Sequence, residues 1–398
     1  MGNTSQIIDN SIPFAKQRTI QPDLENLHLS IMYRNRRDSA AECKPAQEIA
    51  PLLTSFPKYK KALCSANSGD YIKAYGVNSY RGLVKKYNED RVSIILNIAK
   101  PSNFTGRYWP KNLSFFSLFD GHSGSKCCDF LRDNFHLYLI NSPLFPKDIE
   151  GAIYEAFAKL ENDFLSQHAI NQDNTLKDKS GSCALVTVIA DKTVYVANVG
   201  DSRAIMSNNF GTEIVQLTED HKPNRKSEKK RIKENDGVVY KVNSFGTLYR
   251  ILPGNLSVSR TIGDASSKVP FLGGKLGVVI STPEITKFTL DENVNDYILM
   301  GSDGIFDKLD NDDIIKSIWS TLDYKEAMGK NIHSHAGLCS DMTIKLAMDK
   351  KSKDNVSAIF IGFQNFEKEY LKNKGDTILK SRTFEIQKCQ KEHIIQVQ

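Results

Sequence analysis

Acidic residues stand at the ends of several predicted strands in this 398-residue chain. The apolar run Phe115–Phe119 is typical of a buried strand, and the tripeptide Asp120-Gly121-His122 follows it at once. A carboxylate at the end of such a strand is held rigidly at the rim of a sheet. Asp120 is a hard oxygen donor of the kind that Mg²⁺ or Mn²⁺ prefers, the Gly121 carbonyl can serve as a further ligand, and His122 can move a proton nearby.

Further segments repeat the arrangement of an acid beside a predicted strand. They carry Glu89 and Asp90, Asp201, Asp303, Asp307 and Asp354. Because nearly all of these acids stand beside Gly or Asn at strand edges, we expect the strands to converge on a common rim. Clustered carboxylates repel one another and are tolerated mainly where cations neutralise them.

This set of acids favours a site for two Mg²⁺ or Mn²⁺ ions. The seven cysteines do not form the paired Cys or His spacing of a structural zinc site, and oxygen ligands favour Mg²⁺ or Mn²⁺ instead. Two such ions held by shared carboxylates would bind a phosphate and lower the pKa of a bridging water. The pattern therefore predicts a hydroxide nucleophile near neutral pH.

The elements that must position these acids are predicted strands and amphipathic helices. Apolar residues at helical spacing predict helices over 125–140 and 149–164. Further helices are expected over the basic stretch 226–234, over 311–322 behind a plausible cap, and over 335–349. Apolar runs predict strands over 92–98, 115–119, 297–301 and 356–363. The runs 184–190 and 194–199, joined by a two-residue turn, predict a β-hairpin whose second strand leads to Asp201.

Composition divides the chain into three parts. Residues 1–68 are polar and proline-punctuated, which indicates a flexible extension, 69–365 carry the strands and helices, and 366–398 read as a charged tail. The N-terminus nearly matches the myristoylation pattern, with Gln6 where Ser or Thr is usual, so Gly2 is a candidate for peripheral membrane association.

The bulk composition is that of an ordinary globular protein. The net charge of +6 is mild and spread along the chain, so it gives no support for nucleic acid as a partner. No apolar run is long enough to span a bilayer, and the N-terminus is too polar for a signal peptide. The odd number of cysteines favours a reduced, intracellular setting, expected to be the cytoplasm, with the nucleus or a membrane surface left open. The oligomeric state is also open.

Motifs of several other classes are absent from the sequence. An EF-hand loop fails at Asp296, where its sixth position needs glycine, and no cysteine begins a Cys-x₅-Arg phosphatase loop. Calcineurin-like metallophosphoesterases share Asp-x-His but also need Gly-Asn-His-Asp/Glu, and Gly254-Asn255 is followed by Leu256. A P-loop is missing as well.

Eight short motifs, taken in order, resemble those of the metal-dependent (type 2C, PPM) serine/threonine protein phosphatase family. They span about 75–363 and are Asn88-Glu89-Asp90, Phe119-Asp120-Gly121-His122, Ser180-Gly181-Ser182, Val199-Gly200-Asp201-Ser202-Arg203, Asp220-His221-Lys222-Pro223, Ser259-Arg260-Thr261-Ile262-Gly263-Asp264, Ser302-Asp303-Gly304-Ile305-Phe306-Asp307 and Asp354-Asn355. The resemblance implies an α+β fold, a four-layer α-β-β-α sandwich of two antiparallel sheets flanked by helices. It places the metal site at one end of the sandwich and makes 69–365 the catalytic domain.

The resemblance also implies how two ions would be held. Asp120 would bridge both Mg²⁺ or Mn²⁺ ions, and the Gly121 carbonyl would bind one of them. Asp303 and Asp354 would complete the other. A hydroxide bridging the metals would attack phosphorus in line, and His122 would protonate the departing serine or threonine oxygen.

Four further acids receive outer roles from the same resemblance. Glu89 and Asp90 would hold metal-bound waters. Asp201 with Asp307 would form a weaker third-metal site.

Lys85 is a departure from the family pattern. The family usually has arginine at this position, five residues before the acid that corresponds to Asp90, to bind the substrate phosphate. Lysine is a point charge without the planar fork of arginine, so we expect weaker substrate binding. Three residues that match the family, Arg203, Arg260 and Asp264, are expected to be ion-paired structure rather than chemistry.

The predicted function is hydrolysis of phosphoserine and phosphothreonine in phosphoprotein substrates. The alternative is a catalytically weak or inactive pseudophosphatase that acts as a binding or scaffold module. A third interpretation, hydrolysis of another phosphoester such as a nucleotide, lacks the aromatic and basic stretches that stack nucleic acid bases. Every expected carboxylate is present, and this favours the active phosphatase.

Overall fold

The computed structural model describes residues 41–42, 56–57, 59–102, 104–243, 248–322 and 331–375. The predicted lipidation site at Gly2 lies outside these residues. Strands β1–β17, in chain order, are Ala41–Glu42, Leu63–Cys64, Ala74–Tyr80, Arg91–Ile95, Leu113–Phe119, Gly121–His122, Gly181–Ser182, Ala184–Ala190, Thr193–Val199, Arg203–Asn208, Glu213–Gln216, Val238–Lys241, Tyr249–Leu252, Ile262–Gly263, Glu284–Thr289, Asn295–Gly301 and Val356–Gly362.

Helices lie on the outside of the strands and in the connections. Helices α1–α8, in chain order, are Lys126–Ile140, Ile149–Asp163, Lys226–Glu234, Ala265–Lys268, Asp303–Phe306, Asn311–Ser320, Ile332–Asp349 and 364–375. A π-helical segment, Phe164–Ala169, continues α2, and a 3₁₀ turn covers Pro270–Leu272. Among the described residues, no helix combines the length and the apolarity that crossing a membrane requires.

Two large antiparallel sheets form the centre of the fold. The first has the strand order β1-β2-β3-β17-β16-β10-β11, and the second has the order β15-β9-β8-β5-β4. Two small sheets, β14-β7-β6 and β12-β13, stand beside them. The predicted hairpin is present as β8 and β9, paired from Ala184 with Val199 to Ala190 with Thr193. Its two-residue turn therefore fixes the register that brings Asp201 to the sheet edge.

Strand β5 is apolar on both faces because both faces are buried. Phe115 and Phe119 pack against helices α1 and α2, in a cluster that contains Phe135. Phe116 and Leu118 point the other way, into the cluster between the two sheets. Successive side chains of a strand alternate between faces, so a strand inside a four-layer fold is buried on both.

The seven-stranded sheet is covered on its outer face by α6, α7 and α8. Tyr297 and Phe360 from the sheet share a cluster with Ile318 of α6, Ile344 of α7 and Phe366 of α8. The layers are therefore helices, sheet, sheet and helices. This confirms the predicted α-β-β-α sandwich.

Residues on the outer side of both predicted domain boundaries pack into this fold. Helix α8 lies within the stretch read as a charged tail, and its Phe366 and Tyr370 are buried. On the other side, the Tyr59 hydroxyl donates to Asp341 of α7 at 2.7 Å. The folded part of the chain thus extends past positions 69 and 365. The division into three functional parts stays a prediction.

The described cysteines are mostly free thiols. Cys127, Cys128, Cys183 and Cys339 are free and buried, whereas Cys64 is disulfide-bonded. The reduced, intracellular setting inferred from the odd number of cysteines stays a prediction.

Candidate metal centre

Three acids from three different strand ends meet at one end of the sandwich. Asp120 follows β5, Asp201 follows β9, and Asp303 opens α5 after β16. One carboxylate oxygen from each lies within 4.8 Å of those of the other two. The Asp303 main-chain N–H also donates to Asp120 at 3.3 Å. The strands of both large sheets therefore converge on one acidic cluster.

The electrostatics of this cluster are those of a cation site. Burial and repulsion from Asp303 raise the pKa of Asp120 well above its usual range. Burial and repulsion from Asp201 do the same to the pKa of Asp303. Carboxylates so close together gain strongly from a bound cation, which removes their mutual repulsion. Oxygen donors without nitrogen or sulfur fit Mg²⁺ or Mn²⁺.

Gly121 continues the chain from Asp120 into β6. A Cβ at this position would lie 2.6 Å from both the Cys128 Sγ and the Glu89 carbonyl oxygen. No side chain fits there without a shift of the backbone of Glu89. Because glycine has no Cβ, the main chain at Gly121 can lie this close to Glu89.

Glu89 and Asp90 lie at the start of β4, where the chain enters the five-stranded sheet. The Asp90 Oδ2 accepts from the Ser357 hydroxyl at 2.6 Å, while its Oδ1 is buried and has no hydrogen-bond partner among the described residues. Burial, with repulsion from Asp354, raises the pKa of Asp90 to about 6 in spite of the Ser357 hydrogen bond. The Glu89 carboxylate accepts from the Gly124 main-chain N–H at 2.7 Å. The unpartnered Asp90 oxygen fits a water or an ion in the site.

Lys85 and Asp354, predicted to bind phosphate and metal respectively, form an ion pair with each other. The Lys85 Nζ lies 2.6 Å from the Asp354 Oδ1. Burial lowers the pKa of Lys85, but the Asp354 carboxylate more than offsets this and raises it. The cluster of Asp120, Asp201 and Asp303 does not include Asp354. The charge of Asp354 is thus balanced by a lysine at this position.

Lys222 is a second lysine whose ammonium group lies at the site. Its Nζ lies 2.5 Å from the Asp201 Oδ2 and 3.3 Å from the Asp307 Oδ1. Burial lowers the pKa of Lys222, but Asp201 and Asp307 raise it by more, so the ammonium stays charged. Lys222 was not among the site residues predicted from the sequence. Only its place in the motif Asp220-His221-Lys222-Pro223 could have indicated that it lies at the site.

His122 is held by Asp264. The His122 Nε2 lies 3.0 and 2.9 Å from the two carboxylate oxygens of Asp264, which is 4% exposed. Burial lowers the pKa of His122, but Asp264 more than offsets this and raises it. Asp264 adopts a left-handed backbone conformation, φ 53° and ψ 47°, which Asp tolerates better than most residues. The expected ion pairing of Asp264 is present, and its partner is the candidate general acid.

The two arginines expected to be structural are ion-paired with acids other than those of the three-acid cluster. Arg203 binds Asp220 through two nitrogens, at 2.9 and 2.8 Å. Arg260 binds Glu228 of α3 at 2.7 Å, and the pKa of Glu228 falls to about 2 because this pairing outweighs burial. Both contacts fix loops around the centre.

Comparison with known proteins identifies the family. The family model described as "Protein phosphatase 2C" matches residues 82–356, which is more than half of the chain. A rice protein (Oryza sativa subsp. japonica) named "Probable protein phosphatase 2C member 13, mitochondrial" is 32% identical over 257 residues, which cover 65% of this chain and 62% of that protein. Bovine "Protein phosphatase 1L" is 28% identical over 71% of each chain. The chain thus spans less than two thirds of the rice relative.

Solved structures share the fold at lower identity. A serine-threonine phosphatase 2C from Toxoplasma gondii has a TM-score of 0.58 and 20% identity, with 74% of this chain and 96% of that chain covered. A Caenorhabditis elegans sex determining protein has a TM-score of 0.59 and 20% identity over 77% of this chain and 68% of that one. The match of the family model over most of the chain, on a fold that these structures share, shows that this protein belongs to the protein phosphatase 2C family.

Proposed function

We propose that the protein hydrolyses phosphoserine and phosphothreonine in other proteins with the help of Mg²⁺ or Mn²⁺. The observation that supports this most is the convergence of Asp120, Asp201 and Asp303, whose ligand oxygens lie within 4.8 Å of one another. Membership of a protein phosphatase family supports the class of reaction. The half-buried, mutually repelling carboxylates support the need for divalent cations.

In this proposal two ions would be held by the central acids. Asp120, the Gly121 carbonyl, Asp303 and Asp354 would hold them. When bound, the ions would offset the charge of the phosphoryl group and supply a water of lowered pKa as nucleophile.

Outer residues would support these ligands. Glu89 and Asp90 would hold waters around the ions, and the free Asp90 Oδ1 is suited to this. Asp201 has an oxygen in the central cluster, and it would share a weaker third site with Asp307.

His122 would donate a proton to the departing serine or threonine oxygen. Its Nε2 is engaged by Asp264, so Nδ1 is the nitrogen left to face a substrate. The Asp264 carboxylate orients the ring and favours its protonated form, as a general acid at neutral pH requires.

Lys85 would bind the substrate phosphate. In the structure its ammonium is paired with Asp354 at 2.6 Å, so the lysine lies at the edge of the site. The Lys85 ammonium would leave Asp354 to contact a phosphate oxygen of the substrate. Phosphoproteins are the proposed partners. An intracellular location and membrane association through Gly2 stay predictions from the sequence.

The experiment measures phosphate release from phosphoserine, phosphothreonine and phosphotyrosine peptides and from ATP, each with Mn²⁺, Mg²⁺ or EDTA. The proposal predicts metal-dependent release from the first two peptides and loss of at least about 100-fold in kcat for Asp303→Asn. No release from a folded chain that binds Mn²⁺ would support the pseudophosphatase instead. Faster release from ATP than from the peptides would contradict a protein substrate.

A further inference from the structure

Hydrogen bonds of the neighbouring His221 hold the segment of Lys222 at the acidic centre. The main-chain N–H of His221, its neighbour, donates to the Gly200 carbonyl at 2.9 Å. In return the Gly200 N–H donates to the His221 Nδ1 at 3.0 Å. The end of β9, which carries Asp201, is thus tied to the segment that carries Lys222. The main chain that carries Lys222 is therefore held next to Asp201.

The Lys222 ammonium binds two acids of different exposure. The Asp201 side chain is 3% exposed and the Asp307 side chain 57% exposed. The second oxygen of Asp201 accepts from the Cys183 thiol at 3.3 Å. Both oxygens of the buried carboxylate therefore have donors, and its charge has a partner within the chain.

We propose that Lys222 is a built-in counter-ion that keeps a third divalent ion from binding tightly between Asp201 and Asp307. The inference rests on the proposed function, because it concerns a cation beyond those held by Asp120 and Asp303. An ion in contact with both Asp201 and Asp307 would lie next to the ammonium and be repelled by it. Lys222 therefore supplies one positive charge permanently, and a third ion binds only by displacing it.

The test counts Mn²⁺ ions bound per chain by equilibrium dialysis, with free Mn²⁺ measured by electron paramagnetic resonance. Lys222→Met removes the charge and keeps much of the side-chain length. We expect it to bind one more Mn²⁺ than the native chain does, or to bind the weakest ion at least about tenfold more tightly. The double variant Lys222→Met/Asp307→Asn should lose this gain, because the exposed ligand of the added site is gone.

Two further variants control for charge and for folding. Lys308→Met removes an exposed positive charge next to Asp307 and should bind Mn²⁺ as the native chain does. Lys222→Arg keeps the charge and should also show no gain. If Lys222→Met does not fold, as judged by circular dichroism, Lys222→Gln takes its place with the same expected gain.

The outcomes separate this inference from the proposed function. If the native chain binds Mn²⁺ and the neutral variants of Lys222 show neither an added ion nor tighter binding, the inference alone is overturned. A gain of the same size in Lys308→Met overturns it too, since the effect would then be one of general charge. If neither the native chain nor Lys222→Met binds Mn²⁺, the inference and the proposed metal dependence both fail.

Discussion

Replacing Asp264 by Asn tests whether this acid sets the protonation of the candidate general acid. The change keeps the size of the side chain and removes the negative charge 2.9 Å from the His122 Nε2. Hydrogen bonds to charged groups contribute about 1.5–3 kcal/mol, and about 1.4 kcal/mol corresponds to one unit in pKa. The Asp264 carboxylate is 4% exposed, so solvent screens this interaction little.

The sign of the effect follows from which form of His122 the carboxylate stabilises. Asp264 raises the pKa of His122, and burial alone would lower it. Without the charge, His122 loses its proton at lower pH, so the basic limb of the kcat–pH profile should move down by about 1–2 pH units. On that limb kcat follows the protonated fraction of His122, so a shift of one pH unit should lower kcat by up to about tenfold.

The assay is the pH dependence of kcat for a phosphothreonine peptide at saturating Mn²⁺. A double-mutant cycle with His122→Gln measures the coupling between the two residues. Asp264→Asn should have little further effect on kcat once the histidine is absent. The reasoning is refuted if the basic limb stays where it is in Asp264→Asn, or if the two substitutions act independently.

Three other substitutions test further parts of the structure. Lys85→Arg should raise kcat/KM about three- to tenfold, because the guanidinium offers two parallel hydrogen bonds to phosphate, and an unchanged value would show that Lys85 does not bind phosphate. Glu228→Gln should lower the free energy of unfolding by about 3–5 kcal/mol in urea titrations, because Arg260 would lose its buried partner, whereas Glu234→Gln on the exposed side of α3 should change it little. Burial lowers the pKa of His335 from 6.5 to about 3. As the pH falls, this histidine therefore becomes protonated in the unfolded chain at a higher pH than in the folded chain. Between pH 7 and 5 this histidine should therefore cost about 2 kcal/mol of stability, and His335→Phe should remove that part of the pH dependence.

Much of the fold could be predicted because its signals are local. The helical spacing of apolar residues gave α1 as 125–140, and the structure has Lys126–Ile140. The hairpin of β8 and β9 followed from a two-residue turn between β-branched runs. Such patterns depend on neighbours within a few residues, so they can be recognised without knowledge of the tertiary structure. Helix α8 was missed because its buried Phe366 and Tyr370 stand in a strongly charged stretch.

The partners within the candidate site could not be predicted in the same way. His122 and Asp264 are 142 positions apart in the sequence, and their contact depends on how β6, β7 and β14 pair. Lys222 likewise reaches Asp307 across 85 positions. A motif indicates that a residue belongs near the centre, but its partner is set by long-range packing. Most of the acids were found because they stand next to the end or the start of a strand, whereas Asp307 caps the C-terminus of α5.

The central claim is that the acidic cluster binds the cations on which hydrolysis depends. The most direct measurement is the Mn²⁺ dependence of phosphate release from a phosphothreonine peptide by the metal-free chain and by its Asp120→Asn variant. Asp296→Asn is the control, since Asp296 is a buried acid that lies at the opposite end of β16 from Asp303. We expect no release without Mn²⁺, full activity on its addition to the native chain and the control, and at least about 100-fold lower kcat in Asp120→Asn. Equal Mn²⁺-dependent activity in Asp120→Asn and Asp296→Asn would contradict it.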